Sequence, residues 1–399
     1  MKPQHLELLT DLVNLPTAPY HERYVATFIR HWMVKLNAGP ALRLDIDPAG
    51  NIYLKYCRGV ASGRTLIFEA HCDHPGFVIE KPWRKGSVSA VFRGGVRRLC
   101  FAGARVRFWL DAPNRHNSLS RVPQGKWVKA NIASVSAPDK SGQMQVSLAG
   151  LRSPLPAGTI GMWDLPDAVI RRDVLYARAC DDLAGVAAAL CLLEVLVERK
   201  SKANIIVLIT RAEEIGFAGS LAALHNRWLP ADACIIGLET SSTRPESPQG
   251  AGPVVRVGDK TSIFSDRLTR FIGASAADLA ATMPGFHWQR RLMDGGTCET
   301  TAFQAFGFDA AGICLALGNY HNMLSPGVRM PKSLKAGPQI SSEYIHLQDF
   351  ANLVKLLVEL AKAFPRYDPQ TNNLKDRLLN IHLGSQTKLL FSTRDTSTI

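Results

Sequence analysis

The distribution of apolar positions changes character along the chain. Residues 4–38 repeat apolar side chains at helical spacing and predict one or two amphipathic helices, interrupted near Pro16 and Pro19. Strand-like runs follow at 42–56, with a turn at 48–51, and at 64–74. From about 81 to 163, short alternating runs such as ARVRFWL and QMQVSL are separated by Gly, Pro, Asn and Asp. This texture predicts a small all-β domain.

Beyond Tyr176 the pattern becomes that of an α/β domain. Residues 181–200 form a long apolar run with acidic residues at its start and basic residues at its end, as the helix dipole favours. The runs NIIVLI, DACIIGLE and ICLALGN predict strands, and their lack of alternation indicates a sheet covered on both faces. A final amphipathic helix is predicted over 343–364, with a peripheral tail beyond Tyr367.

These elements predict an α/β fold with a mixed central sheet flanked by helices. The predicted α/β domain comprises residues 1–80 and 164–399, and a small all-β domain is inserted at 81–163. The chain has 399 residues, of which 46% are hydrophobic and 20% charged, a normal globular composition. Its start lacks the features of a secretory signal, and no run approaches the roughly 18 apolar residues of a membrane span. We therefore expect a cytoplasmic protein, with its eight scattered cysteines reduced.

Most of the net charge of +13 falls in one segment of the sequence. Between Lys81 and Trp163 there are 14 basic and two acidic residues. Such a segment could bind a polyanion or an acidic partner, or it could be a solvated surface that keeps the protein in solution. Because the segment contains no nucleic-acid motif and few aromatic residues among the basic ones, nucleic-acid binding is not expected.

Metal-competent side chains occur at five predicted strand ends or helix starts. They are His71 and Asp73, Asp181 and Asp182, Glu213 and Glu214, Glu239, and His321. Taken singly, each has an ordinary structural explanation, such as an N-cap for the Asp pair or a solvated surface for the Glu pair. However, residues beyond the carboxyl ends of neighbouring strands converge on one crevice. Histidines and carboxylates without cysteine suit Zn²⁺, Co²⁺ or Mn²⁺.

Paired glutamates make chemical sense beside two metal ions. Two divalent ions about 3.5–4 Å apart need a bridging carboxylate, terminal ligands and a bridging water that becomes the nucleophile. A base that is free of metal must take the proton of that water. Of two adjacent glutamates, one can bind an ion while the other transfers the proton.

In order along the chain, these motifs resemble those of a known family. The histidine of AHCD, the Asp pair at a helix start, the Glu pair after a strand, the next acidic residue, the late histidine and the sequence Gly295-Gly296-Thr297 are all present. This set resembles the co-catalytic metallo-aminopeptidases, specifically the glutamyl and tetrahedral (TET) aminopeptidases, some of whose members are called endoglucanases. The resemblance extends to about Phe364. It implies a zinc-exopeptidase-like fold and a homo-oligomer, a dimer or a dodecamer, assembled through the inserted domain.

The resemblance also implies two divalent ions per subunit, zinc with cobalt or manganese as alternatives, and a role for each site residue. His71 would bind one ion, Asp181 would bridge both, Glu214 and Glu239 would be terminal ligands, and His321 would complete the second ion. Glu213 would be the general base. Asp73 would orient His71, and Asp182 would support the bridging residue.

The sequence departs from the family pattern near the site, which keeps three functions open. Cys298 stands where the family has an aspartate, and Glu299 is the candidate to replace its acidic group; His74 and Asn322 also differ. The first hypothesis is an aminopeptidase acting on peptides. The second is a metal-dependent deacylase or amidohydrolase acting on N-acyl amino acids or small amides. The third is a catalytically weak scaffold that binds acidic partners through the basic insert.

Overall fold

A mixed sheet of eight strands lies at the centre of the fold in a computed structural model. The structure describes residues 1–59, 64–84, 87–112, 123–151, 154–324 and 339–368, together with 378 and 380. In chain order the strands are β1 (Leu42–Ile46), β2 (Ile52–Arg58), β3 (Leu66–His71), β4 (Gly76–Arg84), β5 (Ser87–Arg93), β6 (Arg105–Asp111), β7 (Gly125–Val135), β8 (Met144–Ala149), β9 (Ile160–Trp163), β10 (Val169–Arg171), β11 (Val174–Ala177), β12 (Ala203–Thr210), β13 (Cys234–Ser242), β14 (Val254–Arg256), β15 (Gln289–Arg291), β16 (Asp309–Leu317) and β17 (Glu343–His346). The helices are α1 (Pro3–Leu12), α2 (Arg23–Leu36), α3 (Leu183–Glu198), α4 (Ala218–His225), α5 (Asp266–Thr282), α6 (Glu299–Ala305) and α7 (Leu347–Ala363).

The strand order of the large sheet sets the position of the candidate site. The order is β1-β2-β12-β3-β13-β16-β14-β15. Strands β12, β3, β13 and β16 are parallel to one another, so their carboxyl ends meet at one edge, whereas β2 and β14 flank them in antiparallel pairings. All six residues of β3 are buried, as expected for a strand covered on both faces. The predicted mixed α/β fold is therefore confirmed.

Helix α3 covers the centre of this sheet. It contacts β3, β13 and β12 as well as α1 and α7. A helix that is apolar all round is expected in a protein interior, and only Glu194, Val197 and Glu198, towards its C-terminal end, are not buried. The side chain of Asp182 accepts a hydrogen bond from the backbone N–H of Gly185 at 3.2 Å and so caps the first turn.

The final predicted helix begins later than the sequence indicates. Residues 343–346 form strand β17, which pairs antiparallel with β11, and α7 begins at Leu347. The prediction of a helix from residue 343 is therefore wrong over its first turn. Pairing with β11 supplies the backbone hydrogen bonds of these residues, so a tertiary contact overrides the local helical pattern.

A closed barrel formed by β4, β5, β8, β7, β6 and β9 accounts for the all-β texture of the sequence. Its interior holds a cluster of buried aromatic rings, including Phe77, Phe92, Phe101, Phe108 and Trp163. The predicted boundary at residue 81 lies inside β4, which begins at Gly76. Among the basic residues of the insert, Lys85, Arg115, Arg121 and Arg152 lie outside the described residues, as do the side chains of Lys81 and Arg84.

The chain divides into two units, Met1–Pro365 and Arg366–Ile399. Of the predicted peripheral tail, only Asp368, Leu378 and Asn380 are among the described residues. Within the described part of the chain, no helix has the length and apolar character needed to cross a membrane.

Candidate metal centre

Four parallel strands that are adjacent in the sheet, β12, β3, β13 and β16, bring most of the predicted site residues to one edge, whereas Asp181 and Asp182 lie between β11 and α3. His71 is the last residue of β3, and it pairs with Thr210, the last residue of β12. A short 3₁₀ turn, Glu213–Ile215, follows β12. His321 lies in another such turn after β16.

Glu239 reaches the same edge in a different way from the one predicted. Strand β13 does not end at Glu239 but continues to Ser242, paired with β16. On its other side, however, β13 pairs with β3 only as far as Gly237. Glu239 therefore lies just beyond the end of the shared ladder, and its carboxylate oxygen is 3.7 Å from His71 Nε2.

Asp181 lies between the two histidines. One of its carboxylate oxygens, Oδ1, is 3.4 Å from His71 Nε2, and the other, Oδ2, is 3.5 Å from His321 Nε2. His321 Nε2 is also 3.1 Å from a carboxylate oxygen of Glu214. Two groups with metal-ligand geometry result, His71 with Asp181 and Glu239, and His321 with Asp181 and Glu214. Asp181 is common to both.

The unsatisfied polar atoms of the cluster fit the binding of cations. Asp181 Oδ1 and Glu214 Oε1 are buried and have no hydrogen-bond partner among the described residues. Burial raises the pKa of Glu214 to about 7, and it also raises the pKa of Glu239. Carboxylates buried together repel one another unless a positive charge is supplied. The oxygen and imidazole donors match the preferences of zinc, cobalt and manganese.

The two histidines are held in an acidic environment. Burial alone would disfavour their charged forms, but nearby carboxylates raise the pKa of both His71 and His321 well above the ordinary value. Glu213 and Asp181 are among the groups that act on His71, and Glu214 is the leading one at His321. A metal ion would take the place of these protons, since ligation requires the neutral imidazole.

Glu213 lies at the edge of both groups. One of its carboxylate oxygens is 3.9 Å from His71 Nε2, and its side chain retains some solvent exposure. Burial raises its pKa well above the ordinary value, and the negative charges of Glu214 and Glu239 add to this effect. It also belongs to a third potential metal-holding group with His71 and Glu214. A carboxylate with a raised pKa is suited to proton transfer near neutral pH.

Asp73 connects the His71 strand to the Glu213-Glu214 turn. Its Oδ1 accepts a hydrogen bond from the backbone N–H of Glu213 at 2.9 Å, and its Oδ2 accepts one from that of Glu214 at 3.2 Å. The same carboxylate is 3.6 Å from His71 Nδ1. The predicted orienting residue therefore contacts the backbone of both glutamates as well as the histidine.

The supporting residues lie around the centre in different places. Asp182 caps α3 and is in none of the three potential metal-holding groups. Gly295, Gly296 and Thr297 line a cavity that also contacts Glu239. Glu299 does not line this cavity; it is buried at the start of α6, where it accepts a hydrogen bond from Thr210 Oγ1 at 2.8 Å.

Three further residues that are not among the predicted site residues support or border the site. Glu343 Oε2 accepts hydrogen bonds from the backbone N–H groups of Cys180 and Asp181, at 2.7 and 3.1 Å. His74 Nδ1 is 2.7 Å from the backbone oxygen of Asp181. Arg256 lines the cavity beside Glu239. Glu343 lies in a segment for which the sequence pattern predicts a helix, and Arg256 lies in a strand of only three residues. Nothing in the sequence around either residue therefore indicates a role in the site.

Comparisons with known proteins agree with this architecture. Residues 149–325 match the family model of the M42 glutamyl aminopeptidases. A provisionally named aminopeptidase of Acetivibrio thermocellus is 22% identical over 321 residues, which is 79% of this chain and 87% of that protein.

Solved structures share the fold over most of the chain. The Pyrococcus horikoshii TET1 peptidase has a TM-score of 0.65 at 19% identity, covering 90% of this chain and 99% of that one. A TET aminopeptidase from a marine sediment thaumarchaeote has a TM-score of 0.68 at 18% identity, covering 90% and 96% of the two chains. The resemblance predicted from the motifs is therefore confirmed: residues 149–325 match the M42 glutamyl aminopeptidase model, and the chain shares the fold of the TET aminopeptidases.

Proposed function

We propose that this chain is a metal-dependent aminopeptidase with two divalent ions that share Asp181. The observation that carries the proposal is the position of Asp181, whose two oxygens face different histidines at 3.4 and 3.5 Å. His71 and Glu239 would hold one ion with it. Glu214 and His321 would hold the other. Zinc is the expected metal, with cobalt or manganese as alternatives.

The ions, when bound, would polarise the scissile carbonyl and lower the pKa of a water molecule. Glu213 would accept the proton of the attacking water and deliver it to the leaving amine as the C–N bond breaks. The backbone N–H of Glu213 donates a hydrogen bond to Asp73 Oδ1 at 2.9 Å, which holds this residue beside His71. The hydrogen bond involves only the backbone of Glu213, so it does not restrain the carboxylate itself. Adjacent residues thus have separate roles, a ligand at Glu214 and a base at Glu213.

The comparisons support peptides as the substrates and a homo-oligomer as the working form. The family model is that of glutamyl aminopeptidases, and the Acetivibrio thermocellus relative carries an aminopeptidase name. The Pyrococcus horikoshii TET1 peptidase is described as assembling into a tetrahedron or a large octahedral shell. We infer a dimer or a dodecamer for this chain, which sedimentation velocity would distinguish.

Substitution of Glu213 tests the proposal. Glu213→Gln removes the base but keeps the size of the side chain, so turnover should fall by about 10²- to 10⁴-fold. Metal content, measured by mass spectrometry, should stay at two ions per chain. Glu359→Gln is the matched control, because Glu359 pairs with Lys362 at 3.8 Å on α7. A fully active Glu213→Gln protein would refute the assignment of the base, and a single ion per chain would refute the sharing of Asp181.

Substrate and binding assays separate the alternative functions. Cys298 favours an amidohydrolase, because a neutral thiol stands where an acidic side chain could hold the ammonium group of a substrate. Burial raises the pKa of the Cys298 thiol to about 12. Assays with free-amine and N-acylated forms of one substrate would distinguish the two enzymes. A catalytically weak scaffold would instead bind little divalent metal and associate with polyanions in a salt-sensitive manner.

A further inference from the structure

Two recesses of very different size adjoin the candidate metal centre. Glu239 lines a cavity of about 140 Å³, and Glu214 lines a groove of about 580 Å³. Only the groove falls within the roughly 300–1,000 Å³ of a typical ligand pocket. A peptide that is cut by an aminopeptidase has a single residue before the hydrolysed bond and all its other residues after it. The small cavity therefore suits the first residue, and the groove suits the remainder.

The groove lies where the barrel meets the Glu213–Ile215 turn. A loop that follows β5 supplies Gly95, Arg97 and Arg98 to its lining, and a loop between β7 and β8 supplies Ser141. The first loop also contacts the metal centre, since the backbone oxygen of Gly95 lies 2.9 Å from His321 Nδ1. The groove thus begins at the proposed ligands of the second ion and is bordered by the barrel.

Arg97 and Arg98 give the groove a basic wall, and both are exposed. Arg98 Nη2 donates a hydrogen bond to the backbone oxygen of Val135 at 3.2 Å, which leaves its charge unpaired. Burial raises the pKa of the Cys100 thiol beside Arg97 despite the charge of that arginine, so the thiol is neutral. Among the described residues, the ion pairs made by basic side chains of the barrel are those of Arg93, Arg105, Arg107 and Lys129.

Two acids near the groove have other partners. Glu214 lies 3.1 Å from His321 Nε2 and is a proposed metal ligand. Asp139, beside the lining in sequence, accepts hydrogen bonds through Oδ1 from the backbone N–H groups of Ser141 and Gln143, at 2.8 and 3.0 Å. Hydrogen bonds from Ser141 lower the pKa of Asp139, so it stays charged and partly offsets the two arginines without pairing with them. The wall therefore keeps an excess of positive charge.

We propose that this groove binds the part of the peptide that follows the hydrolysed bond, and that Arg97 and Arg98 favour acidic residues there. The inference rests on the proposed function, since it gives the bound peptide a direction across the two ions. A guanidinium group presents parallel donors that match a carboxylate. The carboxylate can belong to an acidic side chain or to the C-terminus of a short peptide, and these two sources share one chemistry.

Matched peptides test the preference and distinguish the two sources. Pentapeptide amides with the same first residue, and with one Glu or one Gln at a later position, differ only in the charge at that position. We expect kcat/KM to favour Glu by roughly three- to tenfold at one position or more, the range of one or two partly exposed ion pairs. A tripeptide and its C-terminal amide make the same comparison for the terminal carboxylate. Equal rates within every pair would refute the preference.

A double substitution identifies the residues responsible. Arg97→Gln combined with Arg98→Gln should abolish the preference, because it removes both charges from the groove. Arg43→Gln combined with Lys126→Gln is the matched control; it removes two exposed charges that do not line the groove and should keep the preference. A preference that survives the first double substitution, or that both remove equally, would contradict the assignment to Arg97 and Arg98.

A bulky side chain in the groove tests its occupation by the peptide. Ser141 is exposed on the lining, so Ser141→Trp should increase KM for a pentapeptide amide severalfold. The anilide of the same first residue has no amino acid after the hydrolysed bond, and its KM should not change. Ser141→Ala is the control, because it also removes the hydrogen bond from Ser141 Oγ to Asp139 but adds no bulk. Equal effects of Ser141→Trp on both substrates would refute the role of the groove.

A binding measurement separates this inference from the peptidase proposal. Calorimetry on the metal-loaded protein would use the same Glu and Gln pentapeptide amides with the first peptide bond reduced, so that no turnover is needed. Tighter binding of a Glu peptide, lost when Arg97 and Arg98 are both replaced, supports the groove even if no peptide is cleaved. Cleavage of peptides with equal binding of the Glu and Gln forms would overturn this inference alone, as would the absence of binding by every peptide.

Discussion

Replacement of Asp73 by asparagine should weaken metal binding without a large change in shape. The Asp73 carboxylate is fully buried and accepts backbone hydrogen bonds from Glu213 and Glu214, at 2.9 and 3.2 Å. Asparagine keeps one acceptor oxygen but presents an amide donor to the second N–H group. The variant therefore loses one charge-assisted bond, worth about 1.5–3 kcal/mol, and loosens the turn that carries both glutamates.

The effect on metal affinity follows from the same contacts. The free energy of the lost hydrogen bond corresponds to a decrease in metal affinity of about 10- to 100-fold. Removal of a residue that orients a metal ligand usually has an effect of this size. Because Asp73 lies 3.6 Å from His71 Nδ1, its substitution should affect the ion held by His71 as well as the one held by Glu214. We therefore expect weaker binding of both ions.

Competition with a zinc chelator would measure the two dissociation constants, and urea denaturation of the metal-free protein would measure its stability. Asp45→Asn is the control, because Asp45 forms a partly exposed ion pair with Lys55 at 2.7 Å, and such pairs contribute about 0–1 kcal/mol. Wild-type zinc affinity in Asp73→Asn would refute the reasoning, because it would show that the turn does not depend on these hydrogen bonds.

Two further predictions concern the fold. Phe77→Ala should reduce the free energy of unfolding by about 3–5 kcal/mol, because it leaves a cavity among the aromatic rings of the barrel. The ring centroids of Phe77 and Trp163, for example, are 4.9 Å apart. An unchanged midpoint of urea denaturation would contradict this prediction. Burial, followed by the charge of Arg93, lowers the pKa of His21 to about 4 in the folded protein. The unfolded chain, in which this pKa is about 6.5, takes up a proton first as the pH falls. The stability that the neutral His21 allows above pH 6.5 is therefore lost as the pH falls from about 6.5 towards 4. His21→Gln should therefore lose less stability than wild type between pH 7 and 4.5 in urea titrations, by about 1 kcal/mol after allowance for partial solvent exposure; parallel pH profiles would contradict it.

The sequence predicted the elements that carry the site because each has a local signal. Continuous Ile, Val and Leu in β12 and β13 mark strands covered on both faces, and the polar residues after β12 mark where that strand stops. The Asp pair before α3 marks the start of a helix, and Asp182 caps it. The order of the motifs was enough to indicate the family.

Local signals failed where a partner distant in sequence decides the structure. Residues 343–346 have a helical pattern, yet they form β17 because β11 lies beside them. The same strand delivers Glu343 to the backbone of Asp181, 162 residues away in sequence. The pattern of residues within either segment does not predict this contact.

The sequence by itself determined which residue types could bind metal and where along the chain they occur. Only the tertiary structure decided that Asp181 lies between two histidines and that Nε and Nη1 of Arg256 are buried with no hydrogen-bond partner in the described part of the chain. The physical reason is that both features depend on the strand order β12-β3-β13-β16 and its register with β14. Hydrogen bonding between strands far apart in sequence sets that order, whereas composition and spacing act only within each strand.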